Sequence, residues 1–307
     1  MDDDERELDC AVIGGGPAGL TAALYLARYQ LKVTVFDDGL SRAAAIPFSH
    51  NVPGFPEGIR GVDLLSRMRD HALRYGAKIA RTSVTGVSRT GSRFLVSAQG
   101  RQIEARAVMM ATGVTDRRPR MSIALHDTAV SEGLLRYCPI CDGYEISDQK
   151  IAVIGAGSHA YSEALFLRSF TKDLSLVSQE ADFDLSQREI ASLEKLGIQL
   201  VAGPMIDITL STKSIRIAGA GGVFDYNAAY PALGCDNRSG LTKMVGAELT
   251  SDGCVKVDKH HRSTVPGLYA AGDTVAGLNQ ISSAVGQAAI AATAIRNDLS
   301  KQMLLCR

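Results

Sequence analysis

The chain has 307 residues, of which 46% are hydrophobic and 21% are charged. This length accommodates two domains of ordinary size, and the composition argues against both a disordered chain and a membrane protein. Because Lys plus Arg and Asp plus Glu both total 33, the formal charge is +0. No overall field is therefore expected to attract nucleic acid or an anionic membrane surface.

The start of the chain and its cysteines bear on where the protein works. The first seven residues are acidic, unlike a secretory signal or a transit peptide, so we expect a cytoplasmic protein. The six cysteines are scattered apart from one pair, which is unlike a disulfide-rich secreted protein. We expect Cys10, Cys235, Cys254 and Cys306 to be ordinary core or surface thiols.

The first predicted elements are a strand, a glycine-rich turn and a helix. Gly14, Gly16 and Gly19 fit the G-x-G-x-x-G spacing that places the pyrophosphate of a dinucleotide at a helix N-terminus. A second predicted strand ends at Asp37, at the distance where a carboxylate accepts hydrogen bonds from an adenosine ribose. The sequence therefore predicts a dinucleotide site at this turn.

The middle of the first predicted domain contains a loop, a helix and several strands. Proline and glycine in residues 40–61 indicate the loop. Hydrophobic patterning then predicts, in chain order, a helix at 62–75, strands at 79–87, 93–99 and 101–104, and a buried strand at 107–111 that closes at Thr112-Gly113.

Three arginines follow where the chain crosses between the predicted domains. Arg117, Arg118 and Arg120 flank Pro119. Two interpretations stay open. The arginines could form a docking surface for phosphate or an acidic partner, or they could belong to a solvated linker.

The stretch Cys138-Pro139-Ile140-Cys141-Asp142-Gly143 is a candidate redox centre. Its two thiols are spaced so that one sharp turn can join them as a disulfide, and the glycine-rich segments on both sides suggest a flavin as the two-electron partner. Thiol–disulfide exchange needs a thiolate and a proton source, which the adjacent aspartate can supply. Alternatively, the two cysteines could be half of a zinc site in a binding protein, with Cys254 and His260 as the other two ligands. No second CxxC pair is present.

A second strand, glycine-rich turn and helix unit begins at residue 150. Gly155 and Gly157 repeat the first two glycines of the fingerprint, and Ala160 stands in place of the third. The chain therefore contains an internal duplication, and each copy is expected to form a nucleotide site.

The predicted strand at 174–177 ends where a second nucleotide would be selected. It is followed by Ser178-Gln179-Glu180, and then by Asp182 and Asp184. This acidic segment is expected to repel the 2′-phosphate of NADPH, which normally binds Arg or Lys at this point. Glu180 could instead bind the ribose diol of NADH.

The last third of the chain completes both predicted domains. Patterning predicts a helix at 186–196, strands at 198–201, 206–217 and 229–233, and a polar loop and strand at 246–262. Gly272-Asp273 then follows a small-residue strand and precedes a helix at 280–295. An aspartate in this position can bond the ribityl or phosphate region of a flavin.

The order GGGPAG, ATG, CxxCDG, GxGxxA and AAGD resembles the low-molecular-weight thioredoxin reductase family, which are FAD-dependent pyridine nucleotide-disulfide oxidoreductases, over nearly the whole chain. The resemblance implies an α/β fold with two Rossmann-like dinucleotide-binding domains of the three-layer ββα/βαβ type, the second inserted into the first. Residues 1–115 and 246–307 would form the FAD-binding domain. Residues 116–245 would form a central domain with the dithiol and a degraded NAD(P)H-type site.

The resemblance also implies residue roles. Cys141 would lie nearest the flavin, Cys138 would exchange with the substrate disulfide, and Asp142 would donate and accept protons. The implied FAD contacts are Gly14, Gly16, Pro17, Ala18, Gly19, Asp37, Asn51, Gly113, Gly272, Asp273, Gln280 and Ile281. A second nucleotide or flavin would lie at Gly155, Gly157, Ser158, His159, Ala160 and Tyr161.

The chain departs from the family at the second site. Typical members carry a histidine and two arginines where Val177, Ser178 and Gln179 stand here, and an acidic pair where Ser162 stands beside Glu163. Relatives without these arginines take electrons from ferredoxin, use a second bound flavin, or pass electrons to oxygen. The resemblance therefore predicts an NADPH-independent member of the family.

The predicted function is an FAD-dependent dithiol/disulfide oxidoreductase that serves a thioredoxin-like protein or a small disulfide. Its electron donor would be a second FAD or ferredoxin rather than NADPH. The alternatives are a conventional NAD(P)H-dependent thioredoxin reductase and a dithiol oxidase that uses oxygen. The resemblance also suggests a homodimer.

Overall fold

The computed structural model describes residues 7–302, so the acidic first residues and Cys306 lie outside the described range. The chain forms two compact α/β units. The first comprises the described parts of Met1–Ala44, Ile59–Thr115 and Asp236–Arg307, and the second comprises Ala45–Gly58 and Asp116–Cys235. Residues 236–245, expected in the central domain, are part of the first unit.

The helices and strands alternate along the chain. In order they are β1 (Glu7–Ile13), α1 (Pro17–Arg28), β2 (Val33–Asp37), α2 (Gly61–Arg74), β3 (Lys78–Arg81), β4 (Val84–Thr90), β5 (Arg93–Ala98), β6 (Arg101–Met110), β7 (Val114–Asp116), α3 (Ile123–Ser131), α4 (Pro139–Asp142), β8 (Ile151–Ile154), α5 (Ser158–Leu167), β9 (Leu174–Val177), α6 (Gln187–Lys195), β10 (Gln199–Val201), β11 (Met205–Ser211), β12 (Ser214–Gly219), β13 (Gly222–Tyr226), β14 (Ala228–Pro231), β15 (Cys235–Asn237), α7 (Gly240–Met244), β16 (Leu268–Ala270) and α8 (Ile281–Gln302).

The first unit is built on a seven-stranded sheet in the order β3-β2-β1-β6-β5-β4, with β16 also paired to β6. The strands β3, β2, β1, β6 and β16 run parallel, whereas β5 pairs antiparallel with both of its neighbours, β6 and β4. Helices α1 and α8 pack together through small residues such as Ala22 and Ala288, which are fully buried. Parallel strands therefore end together beside the start of α1, where a Rossmann fold binds its nucleotide.

The second unit repeats this architecture with fewer strands. Its parallel sheet has the order β10-β9-β8-β14, and an antiparallel sheet of β11, β12 and β13 accompanies it. All four residues of β8 are buried, as expected for a strand covered on both faces. The predicted fold, two Rossmann-like domains with the second inserted into the first, is confirmed.

Several predicted boundaries differ from the structure. The segment predicted as one strand at 79–87 is divided between β3, which joins the parallel sheet, and β4, which is antiparallel. The segments 101–104 and 107–111 form one continuous strand, β6, and 206–217 forms the hairpin of β11 and β12. Within the described residues no helix is both long and apolar enough to cross a membrane.

The Asp298 carboxylate on α8 accepts hydrogen bonds from residues on and just before β16, the strand that leads to Gly272-Asp273. Asp298 accepts a bidentate pair of hydrogen bonds from Arg262, at 2.6 and 3.1 Å, and a third from the Tyr269 hydroxyl at 2.8 Å. Partial burial favours the neutral acid, but the bonds from Arg262, Lys301 and Tyr269 outweigh it and hold the pKa of Asp298 well below its usual range. The ionised carboxylate therefore stabilises the first unit.

We expect Asp298→Asn to lower the free energy of unfolding by about 1–2 kcal/mol near neutral pH, because it removes a charge-assisted network. Since the folded pKa is depressed, this advantage of the wild type is present above about pH 4, the unfolded value, and declines as the pH falls further. Urea unfolding at several pH values measures it. Asp225→Asn is the control, because Arg216 holds Asp225 in a similar bidentate pair on the exposed surface. Equal effects of the two substitutions would contradict the prediction.

Candidate active site: a redox dithiol and two glycine-rich turns

The glycines of the first turn allow backbone to lie against backbone. Gly14 has a φ of 111°, and a Cβ added there would lie 2.2 Å from the carbonyl oxygen of Ala111. A Cβ added to Gly19 would lie 1.9 Å from the carbonyl oxygen of Gly14. Because these obstacles are backbone atoms, no side-chain adjustment can relieve them. The turn therefore requires glycine at both positions, and its backbone forms a cradle at the start of α1.

Asp37 lies directly beside this cradle. It ends β2 and is buried, and its carboxylate occupies the space next to Gly15, where an added Cβ would lie 2.2 Å from the carboxyl carbon. It accepts hydrogen bonds from the Gly39 amide at 2.9 Å and from Arg69 at 3.1 Å. Arg69 was not identified from the sequence, since α2 carries several arginines and nothing in their spacing marks this one.

The remaining predicted flavin residues of the first unit lie at strand ends and at the start of α8. Gly272 follows β16, where an added Cβ would lie 2.9 Å from the Cβ of Ala18. Asp273 pairs with Arg42 at 3.1 Å, an arginine that the sequence analysis did not identify. Gly16 caps α1, Pro17 is its first residue, Gly113 has a φ of 66°, and Gln280 and Ile281 stand where α8 begins.

Asn51 differs from the other predicted flavin contacts in its location. It lies in the segment 45–58, which belongs to the second unit, and its side-chain oxygen accepts a hydrogen bond from Ser49 at 3.1 Å. Its assignment to the flavin stays a prediction.

The dithiol stands at the start of a one-turn helix. Cys138 and Cys141 form a disulfide with their Cα atoms 5.2 Å apart. Cys138 caps α4, Pro139 is the first helical residue, and the Cys141 amide donates to the Cys138 sulfur at 3.1 Å. An amide directed at this sulfur would stabilise a thiolate there after reduction.

The side chain of Asp142 is held by two donors. Arg136 donates to one carboxylate oxygen at 2.8 Å, and the hydroxyl of Tyr230 donates to the other at 2.7 Å. Burial raises the pKa of Asp142, and the positive charge of Arg136 and both hydrogen bonds partly oppose this rise. Burial and the neighbouring carboxylate raise the pKa of Tyr230, which therefore stays a neutral donor.

The geometry argues against the alternative of a zinc site. Sulfurs joined in a disulfide present no thiolate to a metal. Among the described residues, no group of three or more His, Cys, Asp or Glu side chains is arranged to hold a metal ion.

At the second glycine-rich turn, Gly155 packs against the helix that follows it. A Cβ added to Gly155 would lie 2.7 Å from the Cβ of Ala160, the residue that replaces the third glycine. The Tyr161 hydroxyl donates to Ser192 at 3.3 Å, so this side chain is directed towards α6. His159 pairs with Glu163 at 3.1 Å, and the bond raises the pKa of His159. Gly157 caps α5, and Ser158 is its first residue.

The segment after β9 folds back over this turn. The Ser178 hydroxyl, which is fully buried, donates to the carbonyls of Glu180 and Asp182 at 2.9 and 3.0 Å. The Asp184 amide donates to the Ala156 carbonyl at 2.8 Å. The acidic side chains therefore lie on a segment that is bonded directly to the glycine-rich turn.

Arg120 brings one positive charge to the acidic segment. Its guanidinium pairs with Glu180 and donates to the Gln179 carbonyl at 3.2 Å, and its amide donates to the Gln179 side chain at 2.8 Å. No arginine is expected here from the sequence. Arg120 lies about sixty residues earlier in the chain, and only the fold brings it to the end of β9.

Residues 8–288 match the family described as Pyridine nucleotide-disulphide oxidoreductase. The chain belongs to this family. It is a flavin-dependent disulfide oxidoreductase of the thioredoxin-reductase-like type, as the sequence predicts.

Three relatives illustrate the similarity. The thioredoxin reductase of Mycolicibacterium smegmatis is 33% identical over 87% of this chain and 88% of its own. The bifunctional thioredoxin reductase/thioredoxin of Mycobacterium leprae (strain TN) is 35% identical over 86% of this chain, which spans 59% of that protein. The crystal structure of thioredoxin reductase from Streptococcus pyogenes MGAS5005 superposes with a TM-score of 0.89 at 26% identity, covering 97% of this chain and 99% of that one.

We expect Gly19→Ala to abolish flavin retention, because the added methyl group would collide with the Gly14 carbonyl and displace the turn from the helix. The ratio of flavin absorbance to protein in the purified variant measures this. Gly286→Ala is the control, since Gly286 is exposed on α8 with no atom within 4 Å of an added Cβ. This control should keep its flavin and gain about 0.5–1 kcal/mol of helix stability. A Gly19→Ala variant with full flavin content would contradict the role of the turn.

Proposed function

We propose that this chain is an FAD-dependent dithiol/disulfide oxidoreductase whose electron donor is not NADPH. The observation that carries the donor assignment is the acidic segment Glu180 to Asp184, bonded to the second glycine-rich turn. The proposed reaction of the dithiol is that of the family, whereas the proposed electron donor differs from the NADPH that the family typically uses.

The residues of the first unit suit an FAD. The cradle at Gly14 and Gly19 offers backbone close to a pyrophosphate, and Asp37 offers a buried carboxylate beside it for the adenosine ribose. The end of β16 and the start of α8 supply Asp273 and Gln280 for the rest of the cofactor. A flavin bound there would supply the two-electron chemistry that no side chain of this protein provides.

The dithiol of the second unit would exchange electrons with the substrate. Reduction of the Cys138–Cys141 disulfide consumes two electrons and two protons, and reoxidation returns them. We assign Cys141 to the contact with the flavin, Cys138 to exchange with the substrate disulfide, and Asp142 to proton transfer. The hydrogen bond from the Cys141 amide to the Cys138 sulfur supports a thiolate at Cys138.

The second unit is a poor site for NADPH. Glu180, Asp182 and Asp184 present three carboxylates, and the positive charge of Arg120 is already paired with Glu180. A 2′-phosphate is dianionic at neutral pH and would meet net negative charge. A second FAD in this unit or ferredoxin would replace NADPH as the donor, while Glu180 would favour NADH among pyridine nucleotides.

The substrate is a thioredoxin-like protein or a small disulfide. The names of the relatives from M. smegmatis and M. leprae support a thioredoxin-like partner. Family membership also supports a homodimer. Two alternatives differ only in the electron supply, a conventional NAD(P)H-dependent thioredoxin reductase and a dithiol oxidase that passes electrons to oxygen.

We expect anaerobic NADPH to bleach the flavin slowly or not at all, because the acidic segment excludes the 2′-phosphate. Stopped-flow absorbance with NADPH, NADH and reduced ferredoxin in parallel identifies the donor. The ratio of flavin to chain distinguishes one bound FAD from two. Rapid stoichiometric bleaching by NADPH would refute the donor assignment and leave the conventional alternative.

Reversing the charge of the acidic segment should admit NADPH. We expect Glu180→Arg to increase the rate of flavin reduction by NADPH at least about tenfold, since it replaces a repulsive carboxylate with a phosphate ligand next to Arg120. Glu194→Arg is the matched control, because it makes the same charge change on an exposed face of α6. Equal rates in the two variants would show that the local charge at Glu180 does not determine donor selection.

A further inference from the structure

The carboxylate of Asp142 has both oxygens engaged by side chains from different parts of the second unit. Arg136 precedes α4 and donates through one guanidinium nitrogen, while its Nε donates to the Gly133 carbonyl at 2.9 Å. Tyr230 lies on β14 and is fully buried, and its hydroxyl donates to the second oxygen. Protonation of either oxygen would weaken the hydrogen bond that this oxygen accepts, or would require the Tyr230 hydroxyl to rotate and accept a bond from Asp142 instead.

A further acidic group lies nearby. Glu145, in the turn that follows α4, contributes negative charge that disfavours ionisation of Asp142. Its Oε2 atom is buried and has no hydrogen-bond partner among the described residues. With burial and Glu145 both favouring the neutral acid, only Arg136 and Tyr230 favour the ionised one. They are therefore the groups that set the charge of Asp142.

We propose that Arg136 and Tyr230 are positioning residues that hold Asp142 as an oriented carboxylate, so that it accepts the proton released when the dithiol reacts. This deepens the proposed function on its thiol side and is independent of the electron donor. Arg136 supplies a positive charge beside the carboxylate, and the hydrogen bond from the Tyr230 hydroxyl orients the carboxylate. Neither residue is proposed to touch the substrate.

The reaction of the reduced enzyme with a small aromatic disulfide, 5,5′-dithiobis(2-nitrobenzoate), isolates this step. One thiolate of the pair attacks and forms a mixed disulfide with release of one thionitrobenzoate. The second thiol then displaces the other thionitrobenzoate and re-forms the Cys138–Cys141 disulfide. Two electrons pass to the reagent, and two protons leave the dithiol. No pyridine nucleotide or ferredoxin takes part.

The test measures this rate as a function of pH with the FAD-containing full chain, reduced anaerobically and freed of reductant. In Arg136→Gln we expect the acid limb of the profile to move to higher pH by about 1 unit, because a neighbouring positive charge is lost. Tyr230→Phe, which removes a single hydroxyl from the core, should move the limb in the same direction by less. Arg136→Lys keeps the charge and should restore much of the wild-type profile.

The controls separate this role from a structural one. Tyr226→Phe removes a hydroxyl from another fully buried tyrosine of the same unit, and Arg168→Gln removes an arginine that bonds only backbone carbonyls among its described hydrogen bonds. Both should leave the limb in place. In an Asp142→Asn background, Arg136→Gln should no longer move it. The proposal is overturned if Arg136→Gln lowers the rate equally at all pH values, or if its shift persists without Asp142.

Failure of the proposed function would give a different result. If the dithiol were not redox-active, prior reduction would not add two equivalents of thionitrobenzoate to the amount that the oxidised protein releases from its other thiols, in any variant. If only the donor assignment were wrong, the profiles would keep the expected shifts while NADPH bleached the flavin rapidly.

Discussion

The arrangement around the dithiol in the second unit depends on one partly buried carboxylate, Asp142, which accepts hydrogen bonds from two side chains. Asp142 follows the dithiol directly, and its bonds to Arg136 and Tyr230 join the one-turn helix α4 to the segment before it and to the parallel sheet. A buried carboxylate with neither partner would favour the neutral form or an altered turn. The position of the dithiol is therefore fixed by an interaction whose strength also depends on protonation.

The internal duplication shows how one fold serves two purposes. In each unit a strand ends beside a glycine-rich turn, an acidic residue follows, and an arginine from elsewhere pairs with it: Asp37 with Arg69 and Glu180 with Arg120. The first carboxylate is 4% exposed and the second 63% exposed. A buried, oriented carboxylate can discriminate between ligands through hydrogen bonds, whereas an exposed one acts mainly through its charge. Selection at the second turn is therefore expected to be electrostatic and to weaken as salt increases.

The sequence predicts features that depend on residues close together in the chain. The glycine spacings, Asp37 and the CxxC pair each lie within one turn or one strand–turn–helix unit, where local geometry fixes the outcome. Pro139 directly after Cys138 was also a local signal, because proline is common at the first position of a helix, and it could have indicated α4. The hairpin of β11 and β12 gave no comparable signal, since its connecting residues, Thr212 and Lys213, lack the glycine or asparagine typical of tight hairpins.

Residues that are distant in sequence contact both proposed sites, and no pattern marks them. Tyr230 stands 88 residues after Asp142, and its neighbours in β14 are buried apolar residues, so it resembles an ordinary core aromatic. Arg120 resembles a linker charge. Tyr230 reaches Asp142 from β14, and Arg120 reaches the end of β9 from the segment between β7 and α3. The proposed donor preference and the proposed charge of Asp142 thus depend on contacts between distant segments, and substitutions at Arg120 or Tyr230 are expected to change them while leaving every recognisable motif intact.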